Sequence, residues 1–104
     1  MAGWVLYSSE EPAITLRLAP GTAKTIGRTA RADFIVDAAL ISRIHCRLTA
    51  DPSDQLVVED LGSTNGTIVN GRKVDRMVLR DGDRLRVGRV EFEVLNAEQT
   101  VRPS

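Results

Sequence analysis

Residues 55–71 read Gln-Leu-Val-Val-Glu-Asp-Leu-Gly-Ser-Thr-Asn-Gly-Thr-Ile-Val-Asn-Gly, and this stretch decides the fold. Two runs within it, 55–61 and 67–69, have the length and the β-branched content of strands. A loop of small, hydroxyl-bearing and amide residues, 62–66, separates them. Asn70-Gly71 follows as a hairpin signal, because a type I′ turn needs positive φ at both positions. The stretch therefore predicts strands joined by tight turns.

The rest of the chain repeats this pattern of short strands and turns. Residues 43–50 alternate in polarity, which places Ile44, Cys46 and Leu48 on one side of a strand and His45 on the other. Turn residues separate the apolar runs at roughly eight-residue spacing, which is typical of sandwiches and barrels. We therefore expect an all-β fold of about ten or eleven strands, with functional residues on loops at one end.

Length and composition limit the domain count and the class of partner. The 104 residues, 42% of them apolar, suffice for one core, so we expect one domain over 1–95 and a flexible tail over 96–104. The formal net charge is zero, which argues against a nucleic-acid surface, since such a surface needs an excess of Lys and Arg. No apolar run is long enough to cross a bilayer and the first residues do not resemble a signal peptide, so we expect an intracellular protein without a membrane partner.

The chain has one cysteine and one histidine, and the two are adjacent. Cys46 alone excludes an internal disulfide, and its neighbour His45 offers too few ligands for structural zinc, so we predict no metal and no cofactor. The alternation places Cys46 in the core as an inert, small apolar residue. The sequence also lacks the phosphate-binding loop of nucleotide enzymes and the nucleophile elbow of hydrolases, so we expect no enzymatic activity.

Three polar clusters lie at predicted strand ends. Gly27-Arg28 ends one strand, where glycine allows close backbone approach and a guanidinium can bind phosphate with two parallel hydrogen bonds. Ser42-Arg43 adds a hydroxyl and a second guanidinium, and the loop at 62–66 adds donors that suit an anion. Each cluster alone is better explained as a solvated strand end or as turn chemistry than as a ligand site. Together they predict a phosphate site.

The sequence resembles the forkhead-associated (FHA) family of phosphothreonine-peptide-binding domains. The resemblance covers residues 4–95 and rests on three motifs in the family's order and spacing: Gly27-Arg28, Ser42-Arg43-Ile44-His45, and Ser63-Thr64-Asn65-Gly66-Thr67 followed by Asn70-Gly71. It implies an eleven-stranded, antiparallel/mixed β-sandwich of FHA/SMAD-like type with its binding loops at one end. It also implies a signalling role, in which the domain recruits its parent protein to kinase-phosphorylated partners.

The resemblance also implies which residues touch the peptide. Arg28, Ser42 and Thr64 would bind the phosphate, and Arg43 would be an additional contact. Asn65 would bond the peptide backbone beside the phosphothreonine. These five residues form the predicted phosphopeptide-binding site.

Three further positions match family residues that order the binding loops without touching the ligand: Gly27, His45 and Gly66. His45 as a general base would need an acidic orienting partner, which the sequence does not show. Ile44 stands where the family commonly has a polar residue, so it either extends the peptide contact or packs against its neighbours.

The alternative function is a phosphate-independent FHA-like module that interacts or dimerises through a sheet face. We expect the isolated domain to be a monomer, nuclear if the organism is eukaryotic and cytoplasmic if it is bacterial. A phosphorylated Thr100 in the tail would offer a ligand to a second copy in a head-to-tail assembly.

Variable loops are expected to set the peptide preference. In this sequence they include 37–41 and 71–76. The basic Arg72, Lys73 and Arg76 of the second loop predict a mild preference for acidic residues beside the phosphothreonine.

Overall fold

The computed structural model describes residues 3–9 and 13–97. These ranges contain eleven strands and no helix that is long and apolar enough to cross a membrane. In chain order the strands are β1 (Trp4–Ser8), β2 (Ile14–Leu18), β3 (Thr22–Gly27), β4 (Phe34–Ile35), β5 (Cys46–Ala50), β6 (Leu56–Asp60), β7 (Thr67–Val69), β8 (Arg72–Val74), β9 (Arg76–Leu79), β10 (Arg84–Val87) and β11 (Val90–Asn96).

The strands form two sheets. The six-stranded sheet has the order β2-β1-β11-β10-β7-β8, and the five-stranded sheet has the order β4-β3-β5-β6-β9. Neighbouring strands are antiparallel, except that β3 and β4 run parallel. The prediction of an eleven-stranded, antiparallel/mixed β-sandwich is confirmed.

The core lies between the sheets and is built from alternate residues of the strands. Leu6 and Phe92 enter it from the six-stranded sheet, and Ile26 and Leu48 enter it from the five-stranded sheet, all with side chains fully buried. Burying each such side chain contributes about 1.5–3 kcal/mol, so the sandwich is a stable frame for its loops.

Four connections meet at one end of this frame. They are the β3–β4, β4–β5, β6–β7 and β10–β11 connections, and the strand registers place them together because β3 ends where β5 begins, next to the end of β6. Val87 at the end of β10 pairs with Thr67 at the start of β7. The start of β1 and the end of β11 lie at the other end, where Trp4 pairs with Asn96 and the Trp4 indole donates to the Asp54 carbonyl oxygen at 3.0 Å.

The predicted alternation is wrong at the entry to β5. The strand begins at Cys46, not at Arg43, and His45 and Cys46 are both fully buried although they are neighbours. The backbone bends at Arg43 and Ile44, so the residues before β5 do not follow its pleat. This bend brings the imidazole of His45 inward.

The last strand runs one residue past the predicted domain boundary. The Asn96 amide donates to the Asp81 carboxylate at 2.8 Å, and the Ala97 amide donates to the Gly3 carbonyl oxygen at 3.0 Å. The rest of the predicted flexible tail, including Thr100, lies outside the described residues, so the flexibility of the tail stays a prediction.

Candidate functional site

An open depression of about 720 Å³ lies where these loops meet. The described residues that line it include three arginines and no carboxylate, so it carries positive charge. All five residues predicted to bind the peptide line this one depression, although they come from three separate connections: Arg28, Ser42, Arg43, Thr64 and Asn65.

Arg28 is held in place by its own backbone and by its side chain. Its amide donates to the Ser42 carbonyl oxygen at 3.0 Å, and its Nε donates to the Ile41 carbonyl oxygen at 3.0 Å. The two terminal nitrogens make no hydrogen bond to any residue in the described ranges. A guanidinium held in this way keeps a rigid pair of donors for an anion.

Gly27 lets the two chain segments of the site come close together. A Cβ at this position would lie 2.1 Å from the Arg43 carbonyl oxygen and 3.0 Å from the Ala32 Cβ. The Gly27 carbonyl oxygen also accepts a hydrogen bond from the Val36 amide at 2.8 Å. The absence of a side chain is thus what allows Arg28 to lie beside the 42–43 segment.

His45 joins the β4–β5 connection to the β6–β7 loop. Its Nδ1 accepts a hydrogen bond from the Ser42 amide at 3.1 Å, so the ring proton is on Nε2, which donates to the Gly66 carbonyl oxygen at 2.8 Å. The ring is fully buried. Gly66 has a φ of 86°, a conformation that favours glycine. The imidazole therefore ties together two segments of the site without facing solvent.

The hydroxyl and amide groups of the site retain free donors. Ser42 Oγ accepts from the Thr64 amide at 3.0 Å, which leaves its hydroxyl proton available to a ligand. Asn65 Nδ2 donates to the Leu40 carbonyl oxygen at 3.1 Å. The side chains of Thr64 and Arg43 are exposed and make no hydrogen bond within the described part of the chain.

The loop at 62–66 is organised by Asp60, a carboxylate that none of the motifs contains. One of its oxygens accepts from the Gly62 and Ser63 amides, both at 3.1 Å, and the other accepts from the Ser63 hydroxyl and from the Thr67 hydroxyl at 2.8 Å. The Ser63 hydroxyl oxygen in turn accepts from the Gly66 amide at 2.9 Å. Ser63 is thus used within the loop, and Thr64 is the residue left free for a ligand.

These hydrogen bonds set the ionisation of Asp60. Partial burial by itself raises the pKa of this carboxyl, but the hydrogen bonds from Ser63, Thr67 and the Gly62 amide outweigh it, so the pKa lies below its ordinary value. A carboxyl with a lowered pKa in the folded state stabilises the fold above its unfolded pKa, and this stabilisation is lost as the pH falls toward the folded value.

We expect Asp60→Asn to lower the free energy of unfolding by about 1–2 kcal/mol at pH 7, because the amide cannot accept from all four donors. The difference between wild type and variant should be complete above about pH 5 and shrink as the pH falls below about 3.9, the ordinary aspartate pKa. Urea unfolding at pH 7 and pH 3 measures it. Asp33 and Asp51 also have lowered pKa values, but both are present in wild type and variant, so their pH-dependent contributions to stability cancel in the difference. An equal difference at both pH values would contradict this account of the loop.

Arg31 and Leu40 also line the depression, although neither belongs to a motif. Arg31 is exposed and adds the third guanidinium. Leu40 is 51% exposed and has a φ of 70°, which is uncommon for a leucine. The two residues could be found only from the three-dimensional arrangement, since a lone arginine and a lone leucine in a turn carry no pattern.

The sequence did not decide whether Ile44 and the basic residues of 71–76 lie at the binding site. Ile44 is half-buried and lines the depression, so it both packs and faces the site. None of the three basic residues Arg72, Lys73 and Arg76 lines this depression or the smaller one that adjoins it at Leu40 and Asn65. The Lys73 stem lies against Gly66. The structure therefore gives no support to an acidic preference that rests on these three.

Cys46 lies in the core, as the alternation predicts. Burial, with a smaller contribution from the charge of Asp60, raises the pKa of its thiol to about 12. A thiol in this state is not a nucleophile at neutral pH. Across residues 3–9 and 13–97, no three His, Cys, Asp or Glu side chains are grouped so that they could hold a metal ion.

Comparison with known proteins identifies the family of this chain. The sequence matches the FHA domain over residues 24–88. It is 37% identical, over 76% of this chain, to the ABC transporter ATP-binding/permease protein Rv1747 of Mycobacterium tuberculosis, of which the match covers 9%. The chain spans half or less of the length of curated relatives that it matches.

Solved structures share the fold. The FHA domain of CT664 from Chlamydia trachomatis superposes with a TM-score of 0.85 at 25% identity, covering 91% of this chain and 98% of that one. Mycobacterium tuberculosis EmbR, solved in complex with a low-affinity phosphopeptide, gives 0.81 at 28% identity, covering 93% of this chain and 25% of that one. The sequence match spans more than half of the chain and the strand topology is shared, so this chain belongs to the FHA domain family.

Proposed function

We propose that this chain is a binding module that recognises phosphothreonine-containing peptides through the depression and recruits its parent protein to kinase-phosphorylated partners. One observation carries the proposal. Three guanidiniums, two hydroxyls and a carboxamide from separate loops line a single open depression without a carboxylate among them.

The donor set suits a phosphate monoester. A phosphothreonine brings close to two negative charges and three acceptor oxygens at pH 7. In the proposed complex Arg28 and Arg43 supply the charge, and Ser42 and Thr64 supply hydroxyl donors. Asn65 bonds the peptide backbone. Charge-assisted hydrogen bonds of this kind contribute about 1.5–3 kcal/mol each.

Three residues hold the loops of this site in position. Gly27 allows the close approach of the two segments, while His45 and Gly66 hold the loops to each other. None of them needs to touch the ligand. Exposure supports this proposed division into contacting and supporting residues, since His45 and Gly66 are buried whereas Arg28, Arg43 and Thr64 are exposed.

The family relationship supports the same function. FHA domains are binding modules, and the related EmbR has been solved with a phosphopeptide bound. The activity that such a module would recruit belongs to the rest of the parent protein.

The function is tested by calorimetric titration of the domain with one peptide in three forms: phosphothreonine, phosphoserine and unmodified threonine. We expect micromolar binding of the first and none of the third. Phosphoserine should bind more weakly, because it lacks a methyl group whose burial contributes about 0.8 kcal/mol. Equal binding of phosphorylated and plain peptides would overturn the proposal and favour a phosphate-independent interaction module.

A further inference from the structure

A second depression, of about 530 Å³, adjoins the first. Leu40 and Asn65 line both, so a peptide that leaves the first depression across these two residues enters the second. The other residues that line it come from β7, from β10, from the β10–β11 turn and from the end of the β6–β7 loop: Gly66, Ile68, Arg86, Gly88 and Arg89.

The wall between the two depressions is built by close packing. Gly88, with a φ of 57°, has no side chain, and a Cβ there would lie 2.6 Å from the Ala39 carbonyl oxygen and 2.7 Å from the Ile41 side chain. The β10–β11 turn therefore lies directly against the 39–41 segment. The side-chain amide of Asn65 donates a hydrogen bond to the Leu40 carbonyl oxygen at 3.1 Å. The groove is thus formed before any ligand arrives.

The second depression carries positive charge from two arginines. Arg86 and Arg89 are exposed, and neither forms an ion pair with a described residue. Glu91 lies opposite Arg86 across the strand pair, but its carboxylate is paired with Arg84 at 3.4 Å. No described carboxylate lines this depression, although the whole chain has a formal net charge of zero.

The lining combines these two cations with apolar surface. Leu40 is 51% exposed, and Ile68 is partly exposed on the same groove. A glutamate side chain matches this combination, because its methylene groups can lie on apolar surface while its carboxylate meets a guanidinium.

We propose that this second depression binds an acidic side chain of the same phosphopeptide, and that Arg86 and Arg89 are the specificity-determining residues. The inference rests on the proposed function, since the phosphothreonine places the peptide. The partner is therefore a phosphorylated segment with an acidic residue on the side of the phosphothreonine that crosses Leu40 and Asn65.

The test is a charge exchange measured with synthetic peptides. A phosphothreonine peptide with alanine on both sides is the reference, and each flanking position in turn is changed to Glu or Lys. For the wild-type domain we expect Glu to bind up to about fivefold more tightly than Ala at a position on one side only, and Lys to bind more weakly. In the double variant Arg86→Glu, Arg89→Glu the order at that position should reverse.

A matched control uses two arginines outside both depressions. The double variant Arg72→Glu, Arg76→Glu makes the same change of net charge, and it should keep the preference for Glu at that position. Retained binding of the alanine-flanked phosphopeptide shows that each variant is folded, and Arg86→Gln, Arg89→Gln replaces the first variant if it is not.

The outcomes separate this inference from the proposed function. If the wild-type domain binds the alanine-flanked phosphopeptide but favours Glu at no position, the second depression is not an acidic subsite. A preference that survives unchanged in Arg86→Glu, Arg89→Glu, or that is lost equally in the control, also overturns it. Failure of the wild-type domain to bind any phosphopeptide would overturn the proposed function itself.

Discussion

Arg28→Ala should weaken binding of a phosphothreonine peptide by about a hundredfold or more while the domain stays folded. The side chain lies at the end of β3 with its Nε bonded to the Ile41 carbonyl oxygen, and its terminal nitrogens are left for the ligand. Two charge-assisted hydrogen bonds at about 1.5–3 kcal/mol each give a loss of this size. Titration of wild type and variant with one peptide measures it.

Arg28→Lys separates charge from geometry at the same position. A lysine keeps the positive charge, but its single ammonium group cannot both hold the Ile41 carbonyl oxygen and present two parallel donors to a phosphate. We expect it to recover only a small part of the lost affinity. Full recovery of the affinity would mean that the positive charge alone binds the phosphate and that the rigid pair of donors is unimportant.

The control for Arg28→Ala is Arg80→Ala. Arg80 is exposed and lines a groove beside Trp4 and Asn96, at the end of the sandwich opposite the site, so it has the same charge without access to the site. Its replacement should leave binding unchanged within about twofold, apart from a weak long-range charge effect. If both variants lose affinity equally, binding depends on net charge and not on the Arg28 contact.

The strands were predictable because local chemistry decides them. Turn dipeptides such as Asn70-Gly71 require positive φ, and Asn70 and Gly71 have φ values of 51° and 82°. Alternating polarity then assigns the buried face of each strand, as in β10, where the buried Leu85 and Val87 alternate with the exposed Arg84 and Arg86. Both signals act within a few residues of each other, so the sequence contains them directly.

The predictions failed where long-range contacts overrule local pattern. His45 should face away from the core by alternation, but its hydrogen bonds to Ser42 and Gly66 and the bend before β5 turn it inward. Arg86 belongs to no motif and lines the second depression because β10 pairs with β7. The positions of such residues depend on contacts between segments that are distant in sequence, and a single sequence does not reveal those contacts.

The role of Asp60 was also not predictable from the sequence. The residue looks like an ordinary polar strand end, yet it accepts three hydrogen bonds from the loop that follows it and a fourth from Thr67 at the start of β7. The same loop sequence without that carboxylate would still look like a turn rich in hydroxyls. Which hydroxyl serves the loop and which one serves a ligand depends on geometry: Ser63 bonds Asp60, and Thr64 does not.

Gly27→Ala should be the most damaging substitution of a small residue at the site. The added Cβ would lie 2.1 Å from the Arg43 carbonyl oxygen and 2.9 Å from its carbonyl carbon, both backbone atoms that no rotamer change can move. Overpacking of this kind costs about 3 kcal/mol, the upper end of its usual range. The melting temperature of a domain of this size should then fall by more than about 10 °C.

Gly21→Ala is the matched control, because it adds the same methyl group where nothing lies within 4 Å. Its cost is the positive φ of 81°, about 1–2 kcal/mol, which Gly27→Ala does not carry because Gly27 has no positive φ. A larger loss of stability in Gly27→Ala than in Gly21→Ala is therefore due to steric contact. The clash in Gly27→Ala can be relieved only by moving the 42–43 segment away from β3, which lengthens the bonds from Arg28 to Ser42 and Ile41. Phosphopeptide affinity should therefore fall in Gly27→Ala even at temperatures where the variant is folded, and it should be unchanged in Gly21→Ala. Equal stability of the two variants, or full affinity of folded Gly27→Ala, would show that close contact between these segments does not hold Arg28 in its binding position.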